Sequence, residues 1–143
     1  MSPKPGALTI LLVEDDVAHA EITRRNLVEF RERVRELVHV QDGQAALDYL
    51  FSGPRARPDL VLLDLRLPRV DGFEVMRRIK GCPELRHVPV VVLTTSSAER
   101  DMRKAYEGGA SSYLVKPVDF QQFVAMMRAF AAFWLMHNRF PNA

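Results

Sequence analysis

The chain has 143 residues, of which 48% are hydrophobic, and this length fits a single domain with a sizeable buried core. Its 20 Lys and Arg residues nearly balance its 18 Asp and Glu residues, so the net charge of +2 is too small to indicate a nucleic-acid partner. The single cysteine, Cys82, excludes an internal disulfide and a cysteine-rich metal site.

The sequence contains no targeting or membrane-spanning pattern. Residues 1–6 are polar and rich in proline, without the apolar stretch of a signal peptide. No run approaches the roughly 18 consecutive apolar residues of a membrane-spanning helix. We therefore expect a cytoplasmic protein that binds no membrane. We expect one domain over residues 7–138, short tails at 1–6 and 139–143, and no effector domain.

Five short apolar segments predict β-strands. Four of them are rich in Val, Ile and Leu and do not alternate with polar residues, which is typical of parallel strands covered on both faces. In chain order the segments are Leu8–Val13, the weaker Glu36–Val40, Leu60–Leu63, Val88–Leu93 and Tyr113–Val115.

Helical segments with start signals lie between these strands and after the last one. Asp42 and Asp71 each precede an apolar pattern of helical period and are expected to cap a helix. Ser96 with Glu99 forms a capping-box pattern, and the last helix begins in a similar way at Asp119. A strand followed by a helix, repeated five times, predicts an α/β fold with a doubly wound parallel sheet and helices on both faces.

The last helix is apolar over more than one face. One stripe of helical spacing is expected to pack on the sheet, and it comprises Phe120, Phe123, Val124, Met127, Phe130, Ala131, Trp134 and Leu135. Met126, Ala129, Phe133 and Met136 lie off that stripe. A monomer would expose part of this surface, which indicates a partner. The alternative is a long helix with unrelated surface aromatics.

Polar residues follow the predicted strands at the points where they end. Glu14 and Asp15 follow the first strand, Asp64 the third, Thr94 the fourth and Lys116 the fifth. Ligands of open parallel sheets bind outside the carboxyl ends of the strands, so these side chains should converge at one edge.

This set of side chains suits phosphoryl chemistry. Clustered carboxylates repel one another unless a cation lies among them, and oxygen ligands suit Mg²⁺. Asp64 would be the nucleophile that forms an aspartyl phosphate. Lys116 and the cation would neutralise the phosphoryl oxygens, and the Thr94 hydroxyl would bond one of them.

Four segments in register resemble the receiver domains of two-component response regulators: LLVEDD (11–16), LVLLDLRLPRVDG (60–72), VVVLTTS (90–96) and SYLVKP (112–117). The resemblance covers almost the whole chain. It implies a flavodoxin/CheY-like sheet in the strand order 2-1-3-4-5 with five helices. It also implies a signalling protein that catalyses only its own phosphorylation and is not an enzyme with a turnover substrate.

The resemblance also implies a role for each site residue. Asp64 is the phosphoacceptor, and Thr94 and Tyr113 form the switching pair. The Mg²⁺ ligands are Asp15 directly, Glu14 through water, Asp64, and the backbone carbonyl of Arg66. Asp16 is a neighbour of the metal site and not a ligand. Lys116 precedes Pro117 by a bond that is expected to be cis.

A narrower resemblance concerns the kinase that phosphorylates the protein. The chain is similar to single-domain regulators associated with bacterial and cyanobacterial phytochromes in AALDYLFSG (45–53), PELRHVPVVVLTTS (83–96) and the extended last helix. It implies a sensor histidine kinase, such as a bacteriophytochrome, as partner. It also implies a homodimer formed through the fourth helix, the fifth strand and the fifth helix.

Three other functions are compatible with an α/β fold of this kind. A phosphohydrolase with an aspartyl nucleophile would need an acid–base carboxylate at position 66, where Arg66 stands. A flavodoxin-like cofactor binder would need a phosphate-cradling loop where residues 14–16 are acidic. A phosphate-independent scaffold or dimerisation module remains the alternative. The four histidines, His19, His39, His87 and His137, lie on different elements and are expected to be surface or packing residues.

Overall fold

The central feature of the structure, a computed structural model that describes residues 5–52 and 57–141, is a five-stranded parallel sheet. Its strand order is β2-β1-β3-β4-β5, which confirms the expected order. The strands are β1 (Leu8–Val13), β2 (Val34–Val40), β3 (Leu60–Leu63), β4 (Val90–Thr94) and β5 (Ser112–Val115). Residues 1–4 and 142–143 of the expected tails, and Gly53 of the AALDYLFSG segment, lie outside the described residues.

Five α-helices connect and follow the strands. They are α1 (Val17–Leu27), α2 (Gly43–Phe51), α3 (Gly72–Lys80), α4 (Glu99–Glu107) and α5 (Phe120–Ala131). A 3₁₀ segment, Val28–Arg33, follows α1, and a π-helical segment, Ala132–His137, continues α5. Over the described residues, no helix is long and apolar enough to cross a membrane.

Aspartate side chains cap four of the five α-helices. Asp16, Asp42, Asp71 and Asp119 each accept a hydrogen bond from the backbone N–H three residues later. The expected capping box of Ser96 and Glu99 is wrong, because α4 starts after Ala98 without a side-chain cap. The Ser96 hydroxyl instead donates to the Asp101 carboxylate at 2.7 Å. Hydrogen bonds to charged acceptors are stronger than neutral ones, which explains the preference.

The sheet separates two hydrophobic clusters. Alternate residues of each inner strand point to opposite faces, so Leu11 and Leu63 pack with Met76 of α3, while Leu12 and Leu62 face the other side. Every residue of β1, β3 and β4 is buried. Covering both faces in this way holds the carboxyl ends of these strands in fixed positions.

Along α5 and its π-helical continuation, the stripe supplies buried residues from Phe123 to Leu135. Phe123, Met127 and Phe130 are buried in the cluster that includes α1. Phe120, which the periodicity placed on the buried stripe, is 62% exposed because it lies at the first position of the helix. Phe133 is 53% exposed, as expected for a residue off the stripe.

Gly72, the first residue of α3, lies against the backbone that carries Asp64. Its N–H donates to the Leu65 carbonyl at 2.9 Å, and a Cβ at this position would lie 2.3 Å from the Asp64 carbonyl oxygen. No side chain fits there without displacing the end of β3. The close approach of α3 therefore helps to position the Asp64 backbone.

Replacing Gly72 with Ala should lower the free energy of unfolding by about 1–3 kcal/mol, because the added methyl overpacks a backbone contact. Gly81→Ala is the matched control, since its Cβ would meet its nearest atom at 3.2 Å. Urea denaturation of both variants measures the difference. Equal losses for the two variants would contradict the close-approach explanation.

Candidate functional site

The carboxyl edge of the sheet carries the polar residues that the sequence placed there. Glu14 follows β1 and donates its backbone N–H to the Val40 carbonyl at 3.0 Å. Asp64 follows β3, and its N–H donates to the Val13 carbonyl at 3.1 Å. Lys116 follows β5, and its N–H donates to the Thr94 carbonyl at 2.7 Å. Each of these three residues thus lies one position beyond a strand and is still held by the hydrogen-bond ladder of the sheet.

A buried lysine joins the acidic residues. The Lys116 Nζ lies 2.5 Å from Glu14 Oε1 and 3.0 Å from Asp64 Oδ2. The side chains of Lys116 and Glu14 are 2% and 1% exposed, so solvent screens this interaction little. Burying charges is costly unless they are paired, and here one ammonium is shared by two carboxylates.

Glu14, Asp15 and Asp64 form an acidic cluster, in which one oxygen of each lies within 4.8 Å of the others. Glu14 and Asp64 are buried and Asp15 is exposed, so the cluster opens to solvent on one side. Three carboxylate oxygens at this spacing fit a hard divalent cation. Asp16 is not part of this cluster, and its side chain caps α1.

Burial raises the pKa of the Glu14 carboxyl from 4.5 to about 7, although Lys116 opposes the shift. The negative charge of Asp64 raises the pKa further. One lysine therefore does not fully neutralise the two buried carboxylates. A bound cation would favour the charged form of Glu14, which is a second feature that fits a divalent metal at this cluster.

Thr94 and Tyr113 meet at the backbone of Ser96. The Thr94 Oγ1 is buried at the end of β4 and accepts a hydrogen bond from the Ser96 N–H at 3.3 Å. The Tyr113 hydroxyl on β5 donates to the Ser96 carbonyl at 3.0 Å. The two residues of the expected switching pair are therefore connected through hydrogen bonds to Ser96.

Arg66 and Asp101 link the loop after Asp64 to α4. The Arg66 N–H donates to Asp64 Oδ1 at 3.3 Å, and its guanidinium lies 2.6 Å from Asp101 Oδ2. The same Asp101 oxygen accepts from the Ser96 hydroxyl. The Ser96 hydrogen bond, together with the charge of Arg66, holds the pKa of the Asp101 carboxyl below its usual value. No sequence pattern indicates this pair, whose members are 35 residues apart.

His19 belongs to the site, although the sequence indicated only a surface or packing role. Its ring packs against Phe123 with 5.4 Å between ring centroids, as a packing residue would. Its Nδ1, however, lies 3.0 Å from the Lys116 Nζ. His19 is the third residue of α1, and its position in the first turn after the Asp16 cap is the sequence feature that places it at this edge.

The expected cis bond between Lys116 and Pro117 is wrong for this structure, because no peptide bond among the described residues is cis. A trans bond is the more stable isomer before proline by about 0.5–1 kcal/mol. Lys116 reaches both carboxylates with the bond in the trans form.

The stability of the metal-free protein should fall as Glu14 ionises. The folded-state pKa of about 7 lies above the unfolded value of 4.5, so stability is lost as pH rises through 7. Relative to Glu14→Gln, the wild type should lose on the order of 2 kcal/mol between about pH 5 and about pH 8. Urea denaturation in chelator measures the loss, and a pH-independent difference would contradict it.

Comparisons with known proteins agree with this geometry. Residues 10–128 match the family model of the response regulator receiver domain. The chain is 47% identical over 138 residues to the probable methanogenesis regulatory protein FilR2 of Methanothrix harundinacea, covering 93% of this chain and 87% of that protein. It is 38% identical to the response regulator Rcp1 of Synechocystis sp., covering 94% and 93%.

Solved structures of such proteins superpose on the chain. The Mn²⁺-bound form of Rcp1 matches with a TM-score of 0.87 at 37% identity, covering 94% of this chain and 99% of that one. The phosphorylated cyanobacterial phytochrome response regulator RcpA matches with a TM-score of 0.89 at 36% identity and the same coverage. The edge of the sheet where the acidic cluster and Lys116 meet is thus set in a shared fold, and the chain belongs to the response regulator receiver domain family of two-component signalling.

Proposed function

We propose that this protein is a phosphorylation switch in which Asp64 accepts a phosphoryl group from a sensor histidine kinase. The supporting observation is the buried Asp64 carboxylate, which Lys116 contacts at 3.0 Å beside two further carboxylates. An oxygen of Asp64 attacks phosphorus, and the bond from phosphorus to the donor nitrogen breaks. The donor keeps the electron pair, and Asp64 becomes an acyl phosphate.

Glu14, Asp15, Asp64 and the backbone carbonyl of Arg66 would hold Mg²⁺. The ion, when bound, neutralises charge on the phosphoryl oxygens. The spacing of the acidic cluster and the raised pKa of Glu14 support a divalent cation. The few protein ligands favour Mg²⁺, which commonly keeps several coordination positions for water and phosphate.

Lys116 and Thr94 would act directly on the phosphoryl group. The Lys116 ammonium already contacts Asp64 Oδ2, and it would therefore lie close to the negative oxygens of a phosphoryl group on Asp64. The Thr94 hydroxyl now accepts a hydrogen bond from the Ser96 N–H. A hydroxyl can rotate, so it would donate its proton to a phosphoryl oxygen. Transfer of phosphoryl groups depends mainly on such positioning and charge neutralisation.

Tyr113 would report the change to the surface. Its hydroxyl donates a hydrogen bond to the Ser96 carbonyl, and the Ser96 N–H donates one to the Thr94 hydroxyl oxygen. Movement of Thr94 toward a phosphoryl group would therefore shift the loop that holds Tyr113 in its present position. A local charge change would then bias the packing of the face built by α4, β5 and α5.

The α4–β5–α5 face is also the proposed site of a homodimer. β5 is an edge strand, and beside it lies a groove of about 500 Å³ whose lining includes Leu114, Met126 and Phe133. Exposed apolar surface of this kind is typical of a protein interface.

The donor kinase is proposed to be a bacteriophytochrome, because Rcp1 resembles this chain and RcpA is a phytochrome response regulator.

Incubation with acetyl phosphate and Mg²⁺ should add one phosphoryl group, about 80 Da, to the wild type, because Asp64 is the nucleophile. Asp64→Asn should show no gain by intact mass spectrometry. Asp71→Asn is the matched control, since Asn also caps helices and this side chain contacts the first turn of α3. No gain in the wild type, even with histidine kinases as donors, would favour a phosphate-independent scaffold.

Phe133→Ser should weaken self-association at least tenfold, because it removes an aromatic side chain from the proposed interface and about 1.4 kcal/mol corresponds to tenfold in affinity. Val118→Ser is the control, because Val118 is fully exposed and does not line the groove. Sedimentation equilibrium with and without acetyl phosphate measures the dissociation constant. Equal constants for wild type and Phe133→Ser would place the interface elsewhere.

A further inference from the structure

We propose that His19 is a positioning residue for Lys116, and that its Nδ1 holds the ammonium in the orientation that meets a phosphoryl group on Asp64. The contact joins α1 to the end of β5, across 97 residues of sequence. This inference rests on the proposed function of Asp64. It adds a residue outside the acidic cluster to the phosphorylation machinery.

The three N–H donors of Lys116 have three acceptors. They are Glu14 Oε1 at 2.5 Å, Asp64 Oδ2 at 3.0 Å and His19 Nδ1 at 3.0 Å. The Lys116 side chain is 2% exposed, so water is a poor substitute for any of them. A buried donor without an acceptor is costly, and His19 therefore determines where the third N–H points.

The contact also specifies the state of the imidazole. A lysine ammonium only donates, so Nδ1 must carry a lone pair and the ring proton must lie on Nε2. The Nε2 lies 3.6 Å from Asp16 Oδ2, and the carboxylate favours that proton position. The ring is further restrained by the Phe123 ring, which lies 5.4 Å away at 54°. Asp16 and Phe123 thus restrain the imidazole in the orientation that contacts Lys116.

His19 differs in kind from the other two acceptors. Glu14 and Asp64 are proposed metal ligands, and Asp64 is also the group that changes when it accepts phosphate. A neutral imidazole is engaged in neither event, and it adds no negative charge to a pocket that already raises the pKa of Glu14. Lys116 can therefore exchange a carboxylate oxygen for a phosphoryl oxygen while His19 keeps its Nζ in place.

Two variants separate the acceptor from the ring. His19→Asn keeps an acceptor, because Asn Oδ1 takes a position close to that of Nδ1, but it loses the ring. His19→Phe keeps a ring against Phe123 and loses the acceptor. The rate of phosphorylation by saturating acetyl phosphate should fall by about 10- to 100-fold in His19→Phe, the range for one hydrogen bond to a charged group. His19→Asn should recover most of that loss.

A measurement on the unphosphorylated protein tests the contact itself. Long-range ¹H–¹⁵N spectra of the imidazole should show the Nε2–H form of His19 in the wild type. The Nδ1 signal should shift in Lys116→Met, which removes the donor. Thermal unfolding of each variant shows whether a lowered rate accompanies loss of the fold.

The outcomes distinguish this inference from the proposed function. No mass gain in the wild type would overturn the proposed function, and with it any role of His19 in phosphorylation. Phosphorylation of His19→Phe at the wild-type rate would overturn the positioning role alone. An imidazole protonated on Nδ1, or an Nδ1 chemical shift that is unchanged in Lys116→Met, would show that the contact between His19 and Lys116 is absent. A phosphorylation rate that falls in His19→Phe and recovers in His19→Asn would establish the positioning role.

Discussion

The arrangement of the functional edge depends on one buried charge imbalance, in which the Lys116 ammonium faces the carboxylates of Glu14 and Asp64. Two buried carboxylates and one ammonium leave a net negative charge, and burial makes that charge costly. Burial raises the pKa of Glu14 in spite of Lys116, and the charge of Asp64 adds to the shift. Additional positive charge would therefore stabilise this edge of the folded chain, and a divalent cation bound to the acidic cluster would supply it. Stability and proposed chemistry here have the same physical source.

The sheet fixes the positions of the three charged residues that make up this imbalance. Glu14, Asp64 and Lys116 each lie one residue beyond a strand and each donate a backbone N–H to the neighbouring strand. Their side chains therefore start from fixed points, and little conformational entropy remains to be lost when they meet a ligand. The close approach of Gly72 to the Asp64 carbonyl adds a restraint from α3. Such rigid placement is what phosphoryl transfer requires of a protein.

Features that depend on local pattern could be predicted from the sequence. The apolar runs locate the strands, and the rule that ligands bind at the carboxyl ends of parallel strands brings Glu14, Asp64 and Lys116 together. Features that depend on distant partners could not. Ser96 leaves the expected capping box because Asp101 offers a charged acceptor, and His19 contacts a lysine 97 residues away. Nothing in the spacing of a histidine specifies such a contact, since it follows from how α1 docks beside β5.

Two sets of contacts lead away from Asp64 toward the proposed output face. One passes through Arg66 to Asp101 and the Ser96 hydroxyl on the α4 side, and Tyr113 is bonded to the same serine. The other passes through Lys116 and His19 to Phe123 on α5. Both begin at an oxygen of Asp64, since Oδ1 accepts from the Arg66 N–H and Oδ2 from Lys116. A phosphoryl group would replace one of these oxygens as the acceptor and so disturb at least one set. Coupling to the helix reached by that set would then need no motion of the sheet, because the contacts that change lie in the loops and side chains beyond its strands.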